Sequence, residues 1–392
     1  MIHATPELGP AELAAIEKID ELKTNLQHRV AEPRRWVGGL RRLTFARAVQ
    51  GSNSIEGYDA GLDDVLAVVE DEPPFDAASE TVLALQGYRD ALTYVLQLSE
   101  EDDPAVIDES LLKSLHYMMI KYDLSKRPGR WRKGVIFVRR ESDNEIVYEG
   151  PDRDLVPDLM AELLDSLRVQ GQSPLVRAAM AHLNLVMIHP FADGNGRMAR
   201  CLQTLVLTQE HVRAPVFCSI EEYLGRNTDA YYAVLQEVAG GSWHPREDAM
   251  PWIHFCLNAH HQQAETLLLR VSESEELWGR CETLAFSLGL PERAVGPMWD
   301  ASRGIRIRNA LYRRSVQESD GTEIEIQTAS RDLKVLVDSG VLDPMGETRG
   351  RYYVASERLR DEWRAVRENR RRQPTVDLFG LQAEQLGLDL EG

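Results

Sequence analysis

The chain has 392 residues, 43% hydrophobic and 28% charged, a length that the domain-size prior divides into about two or three folded units. A formal net charge of -18 excludes broad nonspecific attraction to nucleic acid or to an anionic membrane, while leaving room for a local basic face. Four cysteines, Cys201, Cys218, Cys256 and Cys281, show neither close pairing nor metal-ligand spacing and read as buried free thiols in a reduced, cytoplasmic setting. No apolar run approaches membrane-spanning length, and the N-terminus, with Glu7 and Glu12, lacks the apolar core of a signal peptide.

Helix dominates in chain order. Residues from about 10 to 31 carry Leu13, Ile16, Ile19 and Leu22 at three-residue steps, predicting a helix with one apolar stripe. Further helices are predicted from near Gly39 to Ile55, from about Asp63 to Glu70, from about 78 to 99 and from 107 to 121, with Pro73-Pro74 as a break. Val135-Ile136-Phe137-Val138 and Ile146-Val147-Tyr148 are β-forming runs around Ser142-Asp143-Asn144, which predicts a hairpin. Ser173-Pro174 supplies an N-cap and first-turn pair for a helix apolar nearly all round, so it is expected to be the buried central one. Its successor is expected to bury Met198, Cys201, Leu202, Leu205 and Val206 on one face.

The last third reads as a separate module. A charged helix over about 263 to 280 is followed by shorter segments, then by a helix from Thr328 to near Gly340, then by Val341-Leu342 and Tyr352-Tyr353-Val354 around Gly346 and Gly350. Helix, strand, turn, strand is a winged-helix pattern, and Arg331, Lys334, Arg349 and Arg351 are placed to meet DNA phosphates, although the acidic chain favours protein contact or interdomain packing at least as much. The tail, with Arg367 and Arg370-Arg371-Arg372, reads as a solvated helix end or a flexible segment. His254, His260 and His261 lack carboxylate or cysteine companions at metal spacing, and His116 and His182 sit in helical apolar surroundings; all five read as packing or solvated histidines.

The densest chemistry lies in His189-Pro190-Phe191-Ala192-Asp193-Gly194-Asn195-Gly196-Arg197-Met198-Ala199-Arg200. Pro190 disfavours helix at the preceding residue, so His189 should end one helix with its imidazole toward the loop. Gly194 and Gly196 let backbone N–H groups converge as an anion nest at the start of the next helix. Arg197 and Arg200, three apart, can grip phosphate from one side, and Asp193 is a hard oxygen ligand suited to magnesium.

These residues resemble the signature of the Fic family, His-Pro-Phe-x-Asp/Glu-Gly-Asn-Gly-Arg followed two residues later by a second Arg, and match it at every fixed position. The resemblance implies that His189 deprotonates a Ser, Thr or Tyr hydroxyl of a target protein, which attacks the α-phosphate of ATP so that AMP is transferred and pyrophosphate leaves. It implies Asp193 as ligand of Mg2+, Gly194, Asn195 and Gly196 as phosphate cradle, and Arg197 with Arg200 on the β and γ phosphates. Glycine at 196 resembles the nucleotide-transferring branch, whereas the Doc-like kinase branch carries lysine at that place. Family members often have a Tyr-Tyr pair after the motif, which points to Tyr232 beside the adenine, and a hairpin flap, here near residues 135–148, that docks the target by main-chain pairing.

A second fragment, Ser52-Asn53-Ser54-Ile55-Glu56-Gly57, resembles the inhibitory motif Ser/Thr-x-x-x-Glu-Gly/Asn of Fic proteins. Gly57 is expected to end the helix in left-handed conformation, which places Glu56 in the last turn, where a carboxylate opposes the helix dipole unless a cation approaches. The resemblance implies that Glu56 engages Arg200, with Ser52 supporting the arrangement.

The expected fold class is mainly α: a Fic helical bundle with a β-hairpin flap, plus a small C-terminal winged-helix (α+β) domain. The expected division is an N-terminal helical region over 1–100 with the inhibitory helix, a catalytic core over 101–262, a winged-helix-like domain over 263–358 and a charged tail over 359–392. Removal of AMP or transfer of another nucleotide fits the same residues, and the rival from another class is a DNA-binding regulator whose core senses nucleotide. Self-modification and a homodimer are compatible with the sequence, and no membrane partner is expected.

Overall fold

The computed structural model describes residues 1–31, 34–98, 106–139, 145–169, 171–209, 215–347, 350–368, 370 and 376–380. The N-terminal helices are α1 (Pro10–Ala31), α2 (Val37–Ser54), α3 (Leu62–Val69), α4 (Ser79–Leu98) and α5 (Glu109–Ile120). A two-stranded antiparallel hairpin follows, β1 (Phe137–Arg139) and β2 (Ile146–Glu149), with Phe137 opposite Glu149. The expected turn at 142–144 lies outside the described residues. Next come α6 (Val156–Ser166), α7 (Pro174–Ile188), α8 (Asn195–Thr208), α9 (Glu221–Arg226), α10 (Thr228–Ala239) and the long α11 (Met250–Ser287). The chain continues through α12 (Val295–Ser302), α13 (Asn309–Asp320), α14 (Ile326–Asp338), the hairpin β3 (Leu342–Met345) with β4 (Tyr352–Ala355), and α15 (Glu357–Glu368). An isolated bridge from Ile307 to Tyr353 adds a third backbone segment beside β4.

α7 is the hub, because its sequence offers an apolar or small side chain in every direction and so has to be surrounded. It packs on α6, α8 and α11, and Trp252 of α11, fully buried, donates its indole N–H to the carbonyl of Ala179 at 2.8 Å. The expected cap on Ser173 is not made: its hydroxyl is buried without a partner. The helix opens instead on the Ser173 carbonyl, which accepts from Arg177 N–H at 2.9 Å, and on the preset φ of Pro174.

Two sequence expectations about burial are corrected. The stripe of α1 against α11 is Ala15, Ile19, Leu26 and Val30, while Leu13 is 56% exposed. Strict three-residue steps fall short of the ~3.6-residue turn and drift around the helix, so alternating steps of three and four define the buried face. α8 is buried on its polar side as well: Arg197, Arg200, Gln203, Thr204 and Thr208 are all inside, because Arg200 and Thr204 find partners in Ser52 of α2 and Glu221 of α9, Gln203 in His182 of α7 and His260 of α11, Thr208 in the Leu205 carbonyl of its own helix, and Arg197 in Tyr58 and Tyr122. The expected boundary at 262/263 falls inside the unbroken α11, and the buried apolar residues form one contiguous core from α1 to α15. Among the described residues no helix is long and apolar enough to cross a membrane, and all four cysteines are free and buried.

Candidate active site

His189 caps α7 in the left-handed region, with φ 50° and ψ 57°, its N–H bonded to the Leu185 carbonyl at 3.0 Å. A residue with a Cβ is uncommon there, and here the cap turns the chain sharply out of the helix before Pro190. The imidazole Nδ1 lies 3.0 Å from the Val186 carbonyl and must donate to it, which leaves Nε2 as a free lone pair. Burial holds the His189 pKa below its usual 6.5, so the ring is neutral at pH 7.

The loop from His189 to α8 is closed by its own side chains. Asn195, 2% exposed, accepts from Phe191 N–H at 2.8 Å and donates to the Phe191 carbonyl at 3.0 Å. Gly194 has φ 76°, and a Cβ there would lie 2.9 Å from Ile120 Cδ1, so glycine is required on both counts. Asp193 accepts the Gly194 N–H at 2.7 Å, and α8 then starts with its first amides unpaired within the helix, the arrangement that binds anions. His116, read from sequence as packing, lies directly beneath: it stacks on Phe191 at 3.7 Å, accepts Gly129 N–H at Nδ1 and donates from Nε2 to the Asp193 carbonyl at 2.9 Å. Burial lowers its pKa to about 4, so it remains a neutral two-way link.

Both motif arginines are 1% exposed, and both are engaged by residues outside the motif. Arg200 donates from Nε to Ser52 Oγ at 2.8 Å, and from Nη2 to the Ser52 carbonyl at 2.8 Å and to Glu56 Oε1 at 2.7 Å. Its Nη1 is buried with no partner. Arg197 lies 5.2 Å from the Tyr58 ring centre and 3.4 Å from the Tyr122 hydroxyl, and its Nε is likewise unpartnered. Two buried guanidiniums with spare donors at the mouth of a helix N-terminus form a site that an oxyanion would complete.

The position of Glu56 follows from a Schellman ending on α2. Tyr58 N–H bonds to the Asn53 carbonyl at 3.1 Å and Gly57 N–H to that of Ser54 at 3.0 Å, with Gly57 at φ 79°. That makes Glu56 the cap residue, one step beyond the last helical turn, and aims its carboxylate at Arg200. Tyr232 donates its hydroxyl to the Ile55 carbonyl at 3.0 Å, and its ring remains 47% exposed. A Cβ on Gly196 would collide with Glu56 Oε1 and approach Arg200 Nη1 to 3.1 Å.

Behind Arg200 sits a carboxylate that sequence reasoning did not single out. Glu221, 1% exposed, accepts from the Tyr88 hydroxyl at 2.7 Å and the Thr204 hydroxyl at 3.2 Å, and burial raises its pKa to about 7. Arg132 is the other omission. It donates to the carbonyls of His189, Gly134 and Pro151 at 2.9, 2.7 and 2.5 Å, tying the base of the hairpin to the turn at His189, and no spacing in the sequence signals it. Tyr148 of β2 adds a bond to the Met187 carbonyl at 2.7 Å. The far edge of β2 is covered, since Glu149 exchanges backbone bonds with Gly241 and Trp243. Val135, Phe137 and Ile146 are exposed along the hairpin.

No group of three His, Cys, Asp or Glu side chains converges on a metal position among the described residues. Asp193 stands alone, with Oδ2 3.7 Å from Lys126 Nζ. His254 pairs with Glu12 at 2.7 Å and stacks on Phe379, and His182 bridges Gln203 and Tyr231.

Residues 106–207 match the family described as Fic/DOC. A protein adenylyltransferase fic-1 of Caenorhabditis elegans is 26% identical over 253 residues, covering 62% of this chain and 46% of that protein. A protein adenylyltransferase Fic of Nematostella vectensis is 29% identical over 260 residues, covering 64% and 55%. The chain therefore spans about half the length of the curated relatives it matches. Among solved structures, a Fic family protein from Desulfovibrio desulfuricans G20 aligns with a TM-score of 0.57 at 22% identity, over 91% of this chain and 98% of that one. Fic-1 of C. elegans aligns with a TM-score of 0.52 at 19% identity, over 67% and 73%. The likeness to these structures concerns the fold.

Proposed function

We propose that this chain, which carries a Fic/DOC-family domain over residues 106–207, transfers AMP from ATP to a hydroxyl side chain of a protein and is held in check by Glu56. The observation that carries the reading is the pairing of a neutral His189, its Nε2 lone pair free, with an anion cradle whose two buried arginines keep unpartnered donors. In the proposed reaction Nε2 takes the hydroxyl proton, the oxygen bonds to the α-phosphorus, and the bond from that phosphorus to the bridging oxygen breaks to release pyrophosphate. A positioned base contributes about 10²–10⁴-fold to such a step. The α8 amides and Arg197 hold phosphate oxygens as charge moves toward the leaving group.

Asp193 fits a magnesium ion in kind: one carboxylate, partly exposed, with no protein companions, suits an ion that takes most of its ligands from phosphate and water. Mg2+ bound there would neutralise charge on the departing pyrophosphate. Arg200 cannot serve a γ-phosphate while Ser52 and Glu56 occupy it, which supports the role of brake for Glu56 and of its anchor for Ser52. Tyr232 supports the brake through Ile55 and is proposed to lie beside the adenine. The target segment is proposed to pair with the outer edge of β1, whose inner edge alone is bonded, to β2, among the described residues.

The order α12, α13, α14, β3, β4 supports a winged helix at the C-terminus. Its ties to α2, Arg42 to Asp300 and Arg42 to Glu318 at 2.6 Å each, favour a packing role for it over DNA contact. Incubation with ATP and magnesium followed by mass spectrometry tests the whole reading: Glu56→Gly should add 5′-AMP to protein and Glu56→Gly with His189→Ala should add none. No AMP mass in either form would return the chain to the class of nucleotide sensors.

A further inference from the structure

A second basic site lies behind the catalytic face, where α2, α9 and α11 meet. Glu222, 5% exposed, is approached by three guanidiniums: Arg270 reaches both its oxygens at 2.6 Å, Arg226 comes to 2.6 Å and Arg47 to 3.7 Å. Glu273 lies three residues after Arg270 on the same face of α11 and meets Arg370 at 3.9 Å. Arg303 completes the group. Its guanidinium lies 4.1 Å from the Trp299 ring and 4.9 Å from that of Trp363, it donates to Ser274 Oγ at 2.9 Å, and its Nε is buried without a partner. Five guanidiniums thus face Glu222, Glu273 and, at Arg303, Asp300, which is already paired with Arg42, in a chain whose formal net charge is -18.

The excess charge is felt locally. Burial, with Arg270 close by, pulls Arg47 down to about 10, and burial pulls Arg303 down to about 9 even though Glu273 and Asp300 act against it. Guanidiniums ordinarily stay charged far above this range, so the carboxylates present do not complete their solvation. The site is also open: Arg47, Arg226 and Arg370 side chains are 26%, 56% and 42% exposed, and Arg47 spends none of its donors within hydrogen-bond distance of Glu222.

We propose that this junction binds a small, multiply charged phosphate anion, pyrophosphate or the polyphosphate tail of a free nucleotide, through Arg47, Arg226 and Arg370, with Arg303 behind them. Guanidinium forks match phosphate oxygens two by two, and an anion of several charges neutralises what Glu222 and Glu273 leave over. Occupancy would reach the catalytic face. Arg47 stands five residues before Ser52 on α2, and α2 crosses α9 so closely that a Cβ on Gly225 would lie 2.5 Å from Gly51 Cα. An anion held between Arg47 and Arg226 therefore bears on the helix that carries Ser52 and Glu56. The site stands on its own residues and does not depend on the reaction proposed for His189.

Calorimetric titration of the full chain with inorganic pyrophosphate, at low ionic strength and without magnesium, tests it. Binding is expected in Arg197→Gln, in which the proposed catalytic cradle is weakened, and is expected to be at least tenfold weaker when Arg47→Gln or Arg226→Gln is added to it. Arg226 is the more exposed of the two, so its variant keeps the test valid if Arg47→Gln unfolds. No heat in Arg197→Gln, or unchanged affinity when Arg226→Gln is added to it, would overturn the assignment. Sulfate binding as tightly as pyrophosphate would reduce the site to general charge attraction, and a phosphorylated peptide binding tenfold tighter would make the ligand a protein; either result refutes a small polyphosphate.

Discussion

Replacing Glu56 offers a graded test of the proposed brake, because its bond to Arg200 can be weakened in two steps. The carboxylate lies 2.7 Å from Nη2 of a fully buried guanidinium and is itself 22% exposed, so solvent screens it only in part. A hydrogen bond between charged groups contributes about 1.5–3 kcal/mol, and a neutral amide in its place about 0.5–1.5 kcal/mol. If ATP seats productively only when Arg200 is free, those energies set how far the equilibrium lies toward the blocked form. Glu56→Gly should then raise initial AMP incorporation by about 10- to 100-fold, at about 1.4 kcal/mol per factor of ten. Glu56→Gln should raise it only several-fold, since Ser52 and a neutral bond still hold the guanidinium. Initial rates with labelled ATP, measured below the KM of each form, read the difference directly. Equal rates in all three forms, or a greater gain from glutamine than from glycine, would refute the argument that charge on residue 56 restrains Arg200.

Four further outcomes are expected. Gly196→Ala should destabilise the wild type but hardly affect Glu56→Gly, because its Cβ meets the Glu56 carboxylate first; thermal unfolding of the four forms measures this coupling. Tyr58→Ala in the Glu56→Gly background should lower the KM for ATP by about 2- to 30-fold by releasing Arg197, the range set by ~0.5–2 kcal/mol for a cation over a ring, and a rise in KM would instead make Tyr58 a nucleotide contact. Arg132→Ala should cut AMP transfer at least tenfold while speeding amide hydrogen exchange in residues 145–151, since one side chain holds both His189 and the hairpin base. In pH titrations, His116 stays neutral in the folded protein down to about 4 while its unfolded form takes a proton near 6.5. The unfolded state therefore binds more protons between those values, so the His116 contribution is whole above 6.5 and is lost as pH falls toward 4. The unfolding midpoint should drop across that window less steeply in His116→Gln.

The local chemistry was legible because it is written in consecutive residues. His189-Pro190 ends a helix by sterics alone, Gly194 and Gly196 open the backbone, and the spacing of Arg197 and Arg200 puts them on one side of α8. The turn at Gly57 was equally readable, and the same glycine proves to close a Schellman ending that aims Glu56. Helix periodicity located most elements to within a few residues. It misjudged α1 and α8, because a hydrophobic pattern reports which side chains avoid water but not which polar ones will find partners inside.

Composition, periodicity and turn chemistry by themselves determined that the chain is helical and that an imidazole, a carboxylate and two guanidiniums lie in one short stretch from His189 to Arg200. The resemblance pointed to Glu56 and Ser52 for Arg200, but only the tertiary structure decided the geometry of that contact and set Tyr58 and Tyr122 against Arg197. Ser52 and Glu56 lie 148 and 144 positions from Arg200, Arg132 lies 57 from His189, and Glu222 gathers guanidiniums from three separate helices. The physical reason is range: a residue's own φ and ψ and its neighbours within a turn fix local geometry, whereas the partner of a buried charge is chosen by how whole helices pack.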